Sequence, residues 1–357
     1  MLATMIMNLG RRAGRFAVIP FVVPIILIFF WWLTLIDKSV LWFLVSATVI
    51  VPAFLVAVAC LVGMLFSGIH WRSEVGIVET EAANEILKLW KLIAGARLAA
   101  RTTLVLNDQL NASVQENRYW LLPFRTRIVL SVGLPLLAVV DQDALEAILQ
   151  HEYSHLSNRD TNGSLKLAEL DNTLNYVFIY ASPDTTISGM VLSMIFGRLS
   201  NGLQKEQIKL SKEAELKADC GAASAGDGHR TARALLLVGT ANEFLNATVY
   251  EPLRRELMGA SAPPRSPLSR IFEAVHDLRD GCKLNSIAET VWRQPADPDS
   301  THPSWKERLN ALGFSELPTI APIEVSAFDT LVSARVREAQ LKMLDQIWYN
   351  QTANALQ

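Results

Sequence analysis

The sequence has few cysteines and little net charge, and these two shortages exclude several classes of protein. The chain of 357 residues contains three cysteines, Cys60, Cys220 and Cys282, which are too few and too scattered for a disulfide framework and form no C-x-x-C pair. The formal net charge is −2, so there is no broad basic surface and nothing favours nucleic acid as a partner. Half of the residues are apolar, and the mean hydropathy of +0.23 is high for a soluble enzyme.

Charge is also absent from two long stretches near the amino terminus. Residues 16–36 and 40–67 contain no charged side chain, and each is long enough to cross a bilayer as a helix. Asp37, Lys38 and Ser39 predict a tight turn between them, so the two stretches together predict a transmembrane hairpin. A secretory signal peptide is the alternative, but the first stretch is too long for a signal core and ends without a small-residue cleavage site.

Basic residues predict the orientation of this hairpin. Arg11, Arg12 and Arg15 lie within residues 1–15, which contain no acid, whereas the turn carries one lysine offset by one aspartate. By the positive-inside rule, the amino terminus and the long part after the hairpin are both expected on the cytoplasmic side. The sequence therefore predicts a multi-pass membrane protein, for example of a bacterial inner membrane, with the lipid bilayer as a partner.

Residues 151–155 read H-E-x-x-H, and the residues before them predict a helix. Residues 143–150 combine helix formers with apolar residues at helical spacing. On a helix His151 and His155 lie one turn apart on one face, where both imidazoles can bind one Zn²⁺. Glu152 can then reach a water at the metal and act as a general base. A chance match, at roughly one in two hundred from the composition, is the alternative.

A catalytic zinc takes three protein ligands, and the best third candidate lies downstream of the two histidines. Residues 215–219 read E-x-x-A-D within a charged, helix-favouring stretch, so Glu215 and Asp219 would face the same way. Glu215 would bind the metal, and Asp219 would accept a hydrogen bond from the far nitrogen of a ligand histidine and fix its tautomer. If residues 215–219 are considered without the H-E-x-x-H motif, the alternative is a solvated helix with charges four residues apart.

Four parts of the sequence together resemble the HtpX-like family of membrane zinc endopeptidases, which are related to the CAAX prenyl proteases of the gluzincin type. They are H-E-x-x-H with the following Asn158-Arg159-Asp160, the E-x-x-A-D run, Thr301-His302-Pro303 with Arg308 six residues past the histidine, and the segment Ile128 to Pro135 before the active-site helix. The resemblance covers residues 70–315. It implies a zinc-dependent endopeptidase at a membrane, with one Zn²⁺ per chain and protein or peptide substrates.

The resemblance also implies roles for residues beyond the predicted metal ligands. His302 is expected to be a catalytic residue that donates to the oxyanion, or else a fourth zinc ligand that holds the enzyme idle. Arg308 and Asp160 are expected to support the site. The alternative is that Pro303 and Ser304 start a helix, with His302 near its cap and Arg308 in a surface pair.

The fold expected from these features is mainly α with a small β-sheet, an α+β zincin-like metalloprotease domain preceded by the transmembrane hairpin. Residues 73–100, acidic at first and basic at the end, predict a helix that links the membrane to the enzyme. The predicted domains are a basic amino terminus over residues 1–15, the hairpin over 16–67, the metallopeptidase domain over 70–320 and a packed carboxyl-terminal helix over 321–357.

Two regions of the predicted domain allow alternatives. Strand-like runs at residues 103–106 and 127–132 predict a sheet, whose edge would receive substrate as an added strand or pack as an ordinary sheet on the active-site helix. Many members of the family carry a second pair of spans between the zinc motifs. Residues 173–200 are interrupted at residues 182–184 and lack an uncharged run of about eighteen residues, so they predict two short buried or interfacial helices.

The predicted function is hydrolysis of peptide bonds by metal-activated water, in the quality control of membrane or misfolded proteins. Two other functions stay open. One is a non-catalytic, membrane-tethered binding or chaperone-like module on the same fold, against which the intact Glu152 argues. The other is a protease for lipidated carboxyl-terminal peptides, which is disfavoured because the sequence shows only two convincing spans.

Overall fold

The structure is a computed structural model, and it describes residues 2–36, 39–66, 84–118, 126–158, 161–180, 182, 184 and 187–356. The described chain is mostly helical with a small sheet, which confirms the predicted fold class. It divides into two compact units. The first comprises Met1–Arg72, Asp160–Glu213 and Asp299–His302, and the second comprises Ser73–Arg159, Ala214–Pro298 and Pro303–Gln357.

The described elements follow one another in this order. The helices before the sheet are α1 (Leu2–Ala13), α2 (Ile19–Leu33), α3 (Val40–Phe66), α4 (Asn84–Ala94) and α5 (Ala96–Ala99). The strands are β1 (Thr102–Asn107), β2 (Ala112–Arg118) and β3 (Thr126–Gly133). The helices after the sheet are α6 (Leu134–Val139), α7 (Gln142–Asn158), α8 (Thr161–Asn175), α9 (Val177–Tyr180), α10 (Ile187–Ala225), α11 (Gly228–Leu245), α12 (Glu251–Met258), α13 (Pro267–Ala274), α14 (Gly281–Arg293), α15 (Trp305–Ala311), α16 (Ala327–Leu331) and α17 (Ala334–Leu356).

Helices α2 and α3 pack antiparallel in the first unit through stacked aromatic rings. Phe29 stacks on Phe54 with ring centroids 3.8 Å apart, and Trp32 stacks on Phe43 at 4.0 Å. The apolar segments Ile6–Leu33 and Val40–Leu65 are long enough to cross a bilayer, yet only 22% of an 18-residue apolar window in each is buried. Their apolar side chains therefore face outward, as expected for helices surrounded by lipid and not for the core of a soluble domain.

Helix α8 adds a third layer to the first unit. Its buried Leu167, Leu170 and Leu174 pack in one cluster with residues of α2 and α3. Gly63 allows α3 to approach, because an added Cβ would lie 2.8 Å from the carbonyl oxygen of Thr173. The predicted turn at residues 37–38 lies outside the described residues.

The prediction of two short helices over residues 173–200 is wrong for the second one. Helix α9 is short, but the helix that begins at Ile187 continues for 39 residues to Ala225. The physical reason is that residues 187–225 contain no proline, and none of their glycines has a positive φ. The apolar run and the E-x-x-A-D run thus belong to one helix, α10.

The sheet of the second unit has the strand order β1-β3-β2, with β1 parallel and β2 antiparallel to β3. The strand-like runs at residues 103–106 and 127–132 are β1 and β3, as predicted. Strand β2 was not predicted as a strand. The amide of Gly133 donates to the carbonyl of Asn111 at 2.9 Å, and in this register the backbone groups of Val114 point away from β3, toward the outer edge.

Helix α4 packs on the motif helix α7 through Trp90, which is fully buried. The Trp90 ring meets Tyr153 edge-on with centroids 6.2 Å apart, and its Nε1 donates to Thr102 Oγ1 at 3.0 Å. The single helix predicted for residues 73–100 is wrong in its described part. Gly95, with a φ of 84°, separates α4 from α5, because a left-handed residue cannot continue a right-handed helix.

Asp141 fixes the start of α7. Its Oδ1 accepts from the Ala144 amide at 2.9 Å, and Arg233 of α11 donates to both carboxylate oxygens at 3.1 and 2.6 Å. The side chain therefore satisfies an amide that the helix leaves unpaired and joins α7 to α11. The buried Ala144, Leu145 and Leu149 then turn one face of α7 into the core.

Candidate metal centre

Helix α7 presents two imidazoles on one face, as the motif predicts. The Nε2 atoms of His151 and His155 lie 3.1 Å apart, and the ring planes are nearly perpendicular at 88°. His151 is buried and His155 is partly buried. Because both side chains extend from one helix, one turn apart, the separation of the two nitrogens is set largely by the helix itself.

Helix α10 brings Glu215 to the same point. Glu215 Oε2 lies 3.6 Å from His151 Nε2, and Glu215 Oε1 lies 3.6 Å from His155 Nε2. Possible ligand atoms of the three residues all lie within 4.8 Å of one another. In a tetrahedral site with zinc–nitrogen bonds of about 2.0–2.1 Å, two ligand atoms are about 3.4 Å apart. The three residues could therefore hold a metal ion of this size.

Asp219 and Arg308 lie behind this face. Asp219 is fully buried, and one of its oxygens lies 2.9 Å from His151 Nδ1, on the far side of the ring from Nε2. Arg308 of α15 donates from Nε and Nη2 to the two Asp219 oxygens, both at 2.7 Å, and its Nη2 is 3.4 Å from Glu215. Arg308 is itself buried, so the alternative of a surface pair is wrong.

These contacts set the charge states of the group. Burial alone would lower the pKa of His151, but its contacts with the carboxylates of Asp219 and Glu215 outweigh burial and raise the pKa to about 9. Burial would likewise raise the pKa of Asp219, but the Arg308 hydrogen bonds and His151 hold it below its ordinary value. Asp219 is therefore an anion at neutral pH, able to hold a proton on His151 Nδ1.

Glu152 projects from α7 between the histidines and β2. Burial raises the pKa of its carboxyl above the ordinary value, and His151, His155 and the Val114 amide offset this rise only in part. The Val114 amide belongs to the outer edge of β2, so the carboxylate and the edge strand are in direct contact. Sequence reasoning missed this donor, since a backbone amide has no residue signature. The alternation of Ala112 and Val114 with polar residues favours a strand there, and the resemblance places an edge strand near Asn111-Ala112.

The roles predicted for His302 and Asp160 stay predictions. His302 is exposed in Asp299–His302, a segment of the first unit, where its amide donates to Ser300 Oγ at 3.1 Å. Ser304 caps α15 in a capping box with Glu307, so a helix does begin just after His302, as the structural alternative predicts. Asp160 lies outside the described residues.

Comparison with known proteins agrees with this geometry. A helix with two histidines and a carboxylate from a second helix define a candidate metal-dependent hydrolase. The model of peptidase family M48 matches residues 88–314, which is more than half of the chain. The chain belongs to peptidase family M48. The resemblance predicted from the motifs is confirmed at the level of the family.

A solved structure is also similar to this chain. The crystal structure of Ste24p from S. mikatae matches 84% of the chain at 16% sequence identity, with a TM-score of 0.35. The chain spans 64% of the length of that protein.

Proposed function

We propose that this protein is a membrane-anchored, zinc-dependent endopeptidase. The observation that carries the proposal is the convergence of His151, His155 and Glu215 beside Glu152, in a chain that belongs to peptidase family M48. His151, His155 and Glu215 would hold one Zn²⁺, since two imidazoles and a carboxylate are a donor set that zinc takes in catalytic sites. When bound, the ion supplies Lewis-acid chemistry and lowers the pKa of water toward neutrality.

The other steps of the proposed reaction are assigned to side chains of this protein. Glu152 removes a proton from the attacking water and passes it to the nitrogen of the leaving amine. Its raised pKa favours this role, because a base must also be able to hold the proton between the two transfers. Asp219, neutralised by Arg308, keeps the proton on Nδ1 of His151 and so leaves Nε2 free to bind. His302 is proposed to donate to the oxyanion.

Substrates are proposed to be proteins or peptides, reached at the membrane and drawn from membrane or misfolded proteins. The outer edge of β2 supports binding of an extended segment, because its backbone groups next to Glu152 point away from β3. The spans Ile6–Leu33 and Val40–Leu65 would anchor the chain as a multi-pass protein. The arginines before the first span favour a cytoplasmic second unit.

The test of this proposal compares Glu152→Gln with wild type in purified, detergent-solubilised full-length protein. The variant is expected to keep one zinc per chain by metal analysis and to lose hydrolysis of an unfolded protein substrate by about 10²–10⁴-fold. Glu146→Gln, six residues earlier on α7, is the control and is expected to retain activity. Full activity of the Glu152→Gln protein would remove this residue from the role.

A companion experiment addresses the third ligand. Glu215→Ala is expected to lower bound zinc well below one per chain, because two imidazoles alone leave the ion short of a protein ligand. Glu213→Gln on the same helix is the control, since Glu213 is about half exposed and pairs only loosely with Lys209 at 4.0 Å. Unchanged zinc content in Glu215→Ala would place the third ligand elsewhere.

A further inference from the structure

The two helices that carry the candidate ligands touch at Gly221 of α10 and Ser154 of α7. A Cβ added to Gly221 would lie 2.5 Å from Ser154 Oγ and 3.0 Å from Ser154 Cβ. Gly221 is in the interior of α10 and has no positive φ, so its backbone could be that of any residue. The requirement for glycine at this position is therefore steric and comes from α7.

Along both helices, the contact lies close to residues of the candidate metal centre. Ser154 directly precedes His155 and is buried, and Gly221 follows Asp219 by two residues. Around it α10 turns further small side chains into the second unit, namely the buried Ala214, Ala218 and Ala222. Small residues let helix backbones approach closely. Glycine and alanine at these positions of α10 therefore allow a short distance between α7 and α10.

We infer that Gly221 is a positioning residue of the metal centre: it lets α10 approach α7 closely enough for Glu215 to reach the two histidines. The inference rests on the proposed function, since it takes His151, His155 and Glu215 as the metal ligands. It assigns Gly221 no contact with metal or substrate. Its effect passes through the helix to Glu215, six residues earlier.

The size of the effect follows from the distances. Carbon atoms in contact are normally about 3.5–4.0 Å apart, so an alanine Cβ at 3.0 Å from Ser154 Cβ requires the two helices to separate by a few tenths of an ångström. Metal–ligand distances tolerate only about 0.2 Å, and a site must be held to about 0.5 Å. The separation is therefore expected to weaken metal binding, whereas alanine is a better helix former than glycine and does not weaken α10 itself.

The experiment is a double-variant cycle read as Zn²⁺ affinity. Full-length protein in detergent is stripped with a chelator, and zinc binding is measured by competition with a chromophoric chelator. Gly221→Ala is expected to weaken zinc affinity by about 10-fold or more, the size typical of supporting residues around metal sites. In the Ser154→Gly background, where the obstructing Cβ and Oγ are gone, Gly221→Ala is expected to lower the zinc affinity by less than about 3-fold.

Two further variants sharpen the comparison. Ser154→Ala with Gly221→Ala is expected to fall between the other two backgrounds, because the Ser154 Cβ remains 3.0 Å from the new methyl group. Gly228→Ala is the matched control, since an added Cβ there meets nothing within 4 Å. It is expected to bind zinc as wild type does.

Each outcome decides. Wild-type protein that binds no zinc overturns the proposed function and this inference with it. Wild-type affinity in Gly221→Ala overturns this inference alone and leaves the proposed function standing. An equal loss of zinc affinity with and without the Ser154 side chain also overturns the inference. If circular dichroism shows that Gly221→Ala is unfolded, the double variant is compared with Ser154→Gly alone, and a loss of zinc affinity of about 10-fold or more between these two overturns the inference.

Discussion

Replacing Arg308 by methionine is expected to destabilise the second unit by about 3–5 kcal/mol, the usual cost of removing one partner of a buried ion pair. The Asp219 side chain is fully buried and that of Arg308 is only 10% exposed, so water cannot replace the lost hydrogen bonds. Arg308 also lies 3.4 Å from Glu215, so the change leaves two carboxylates close together without their cation. Methionine keeps much of the length of the side chain, which limits the loss of packing.

Thermal unfolding of the detergent-solubilised, metal-free protein measures this effect. For a unit of this size, about 1 kcal/mol shifts the unfolding midpoint by about 2–4 °C, so a fall of about 6–20 °C is expected. Arg293→Met is the control, because the Arg293 and Glu289 side chains are 78% and 61% exposed. Exposed helix pairs of this kind contribute about 0.3–0.5 kcal/mol.

A double variant tests whether the loss of stability comes from the charge of Arg308 or from its packing. Asp219→Asn combined with Arg308→Met removes the cation and one anion together, so much of the lost stability should return. Equal midpoints for Arg308→Met and Arg293→Met would refute the reasoning, since the buried pair would then be worth no more than an exposed one. A double variant no more stable than Arg308→Met would show that packing, and not charge, is what the arginine provides.

Three further predictions concern the rest of the second unit. Burial would raise the pKa of Asp141, but hydrogen bonds from Arg233 and the Ala144 amide lower it, so Asp141→Asn should cost about 1–2 kcal/mol at pH 7. Because the folded-state pKa of Asp141 is depressed, the difference in unfolding free energy between wild type and Asp141→Asn is full above the unfolded-state pKa of about 3.9. It disappears as the pH falls through the folded-state pKa, and a difference that persists below that pH contradicts the prediction. Ser304→Ala breaks the capping box of α15 and should cost about 1 kcal/mol in urea unfolding, with no loss refuting the cap. Zinc at about 100 times its dissociation constant should stabilise wild type by about 2.7 kcal/mol but not Glu215→Ala, and equal stabilisation of both would count against the site.

The parts of the site that the sequence predicts are those that depend on spacing along one helix. His151 and His155 face the same way because four residues make about one turn, and Glu215 and Asp219 follow the same rule on α10. These relations hold within a single element and need no knowledge of its neighbours. The strands β1 and β3 were predicted for a similar reason, since each is an apolar run long enough to be recognised alone.

The features that sequence reasoning missed depend on contacts between distant parts of the chain. Strand β2 is too polar to be recognised alone and is defined by pairing with β3. The resemblance implied a supporting role for Arg308, but its partner was missed, because α15 brings the arginine to Asp219, 89 residues away in the sequence. Gly221 looks like a weak point in a helix until Ser154 lies against it. In each case the residue's environment, and not its own preference, determines its role.

The ion pair between Arg308 and Asp219 has a consequence for electroneutrality. Three carboxylates, those of Glu152, Glu215 and Asp219, surround the histidines, and one guanidinium faces them, so the ionised cluster carries two surplus negative charges. A divalent cation cancels that surplus. Without one, protonation of groups in the cluster reduces the surplus, which agrees with the pKa of about 9 for His151. Loading the centre is then an exchange of hydrogen ions for metal, and acidification opposes it by mass action.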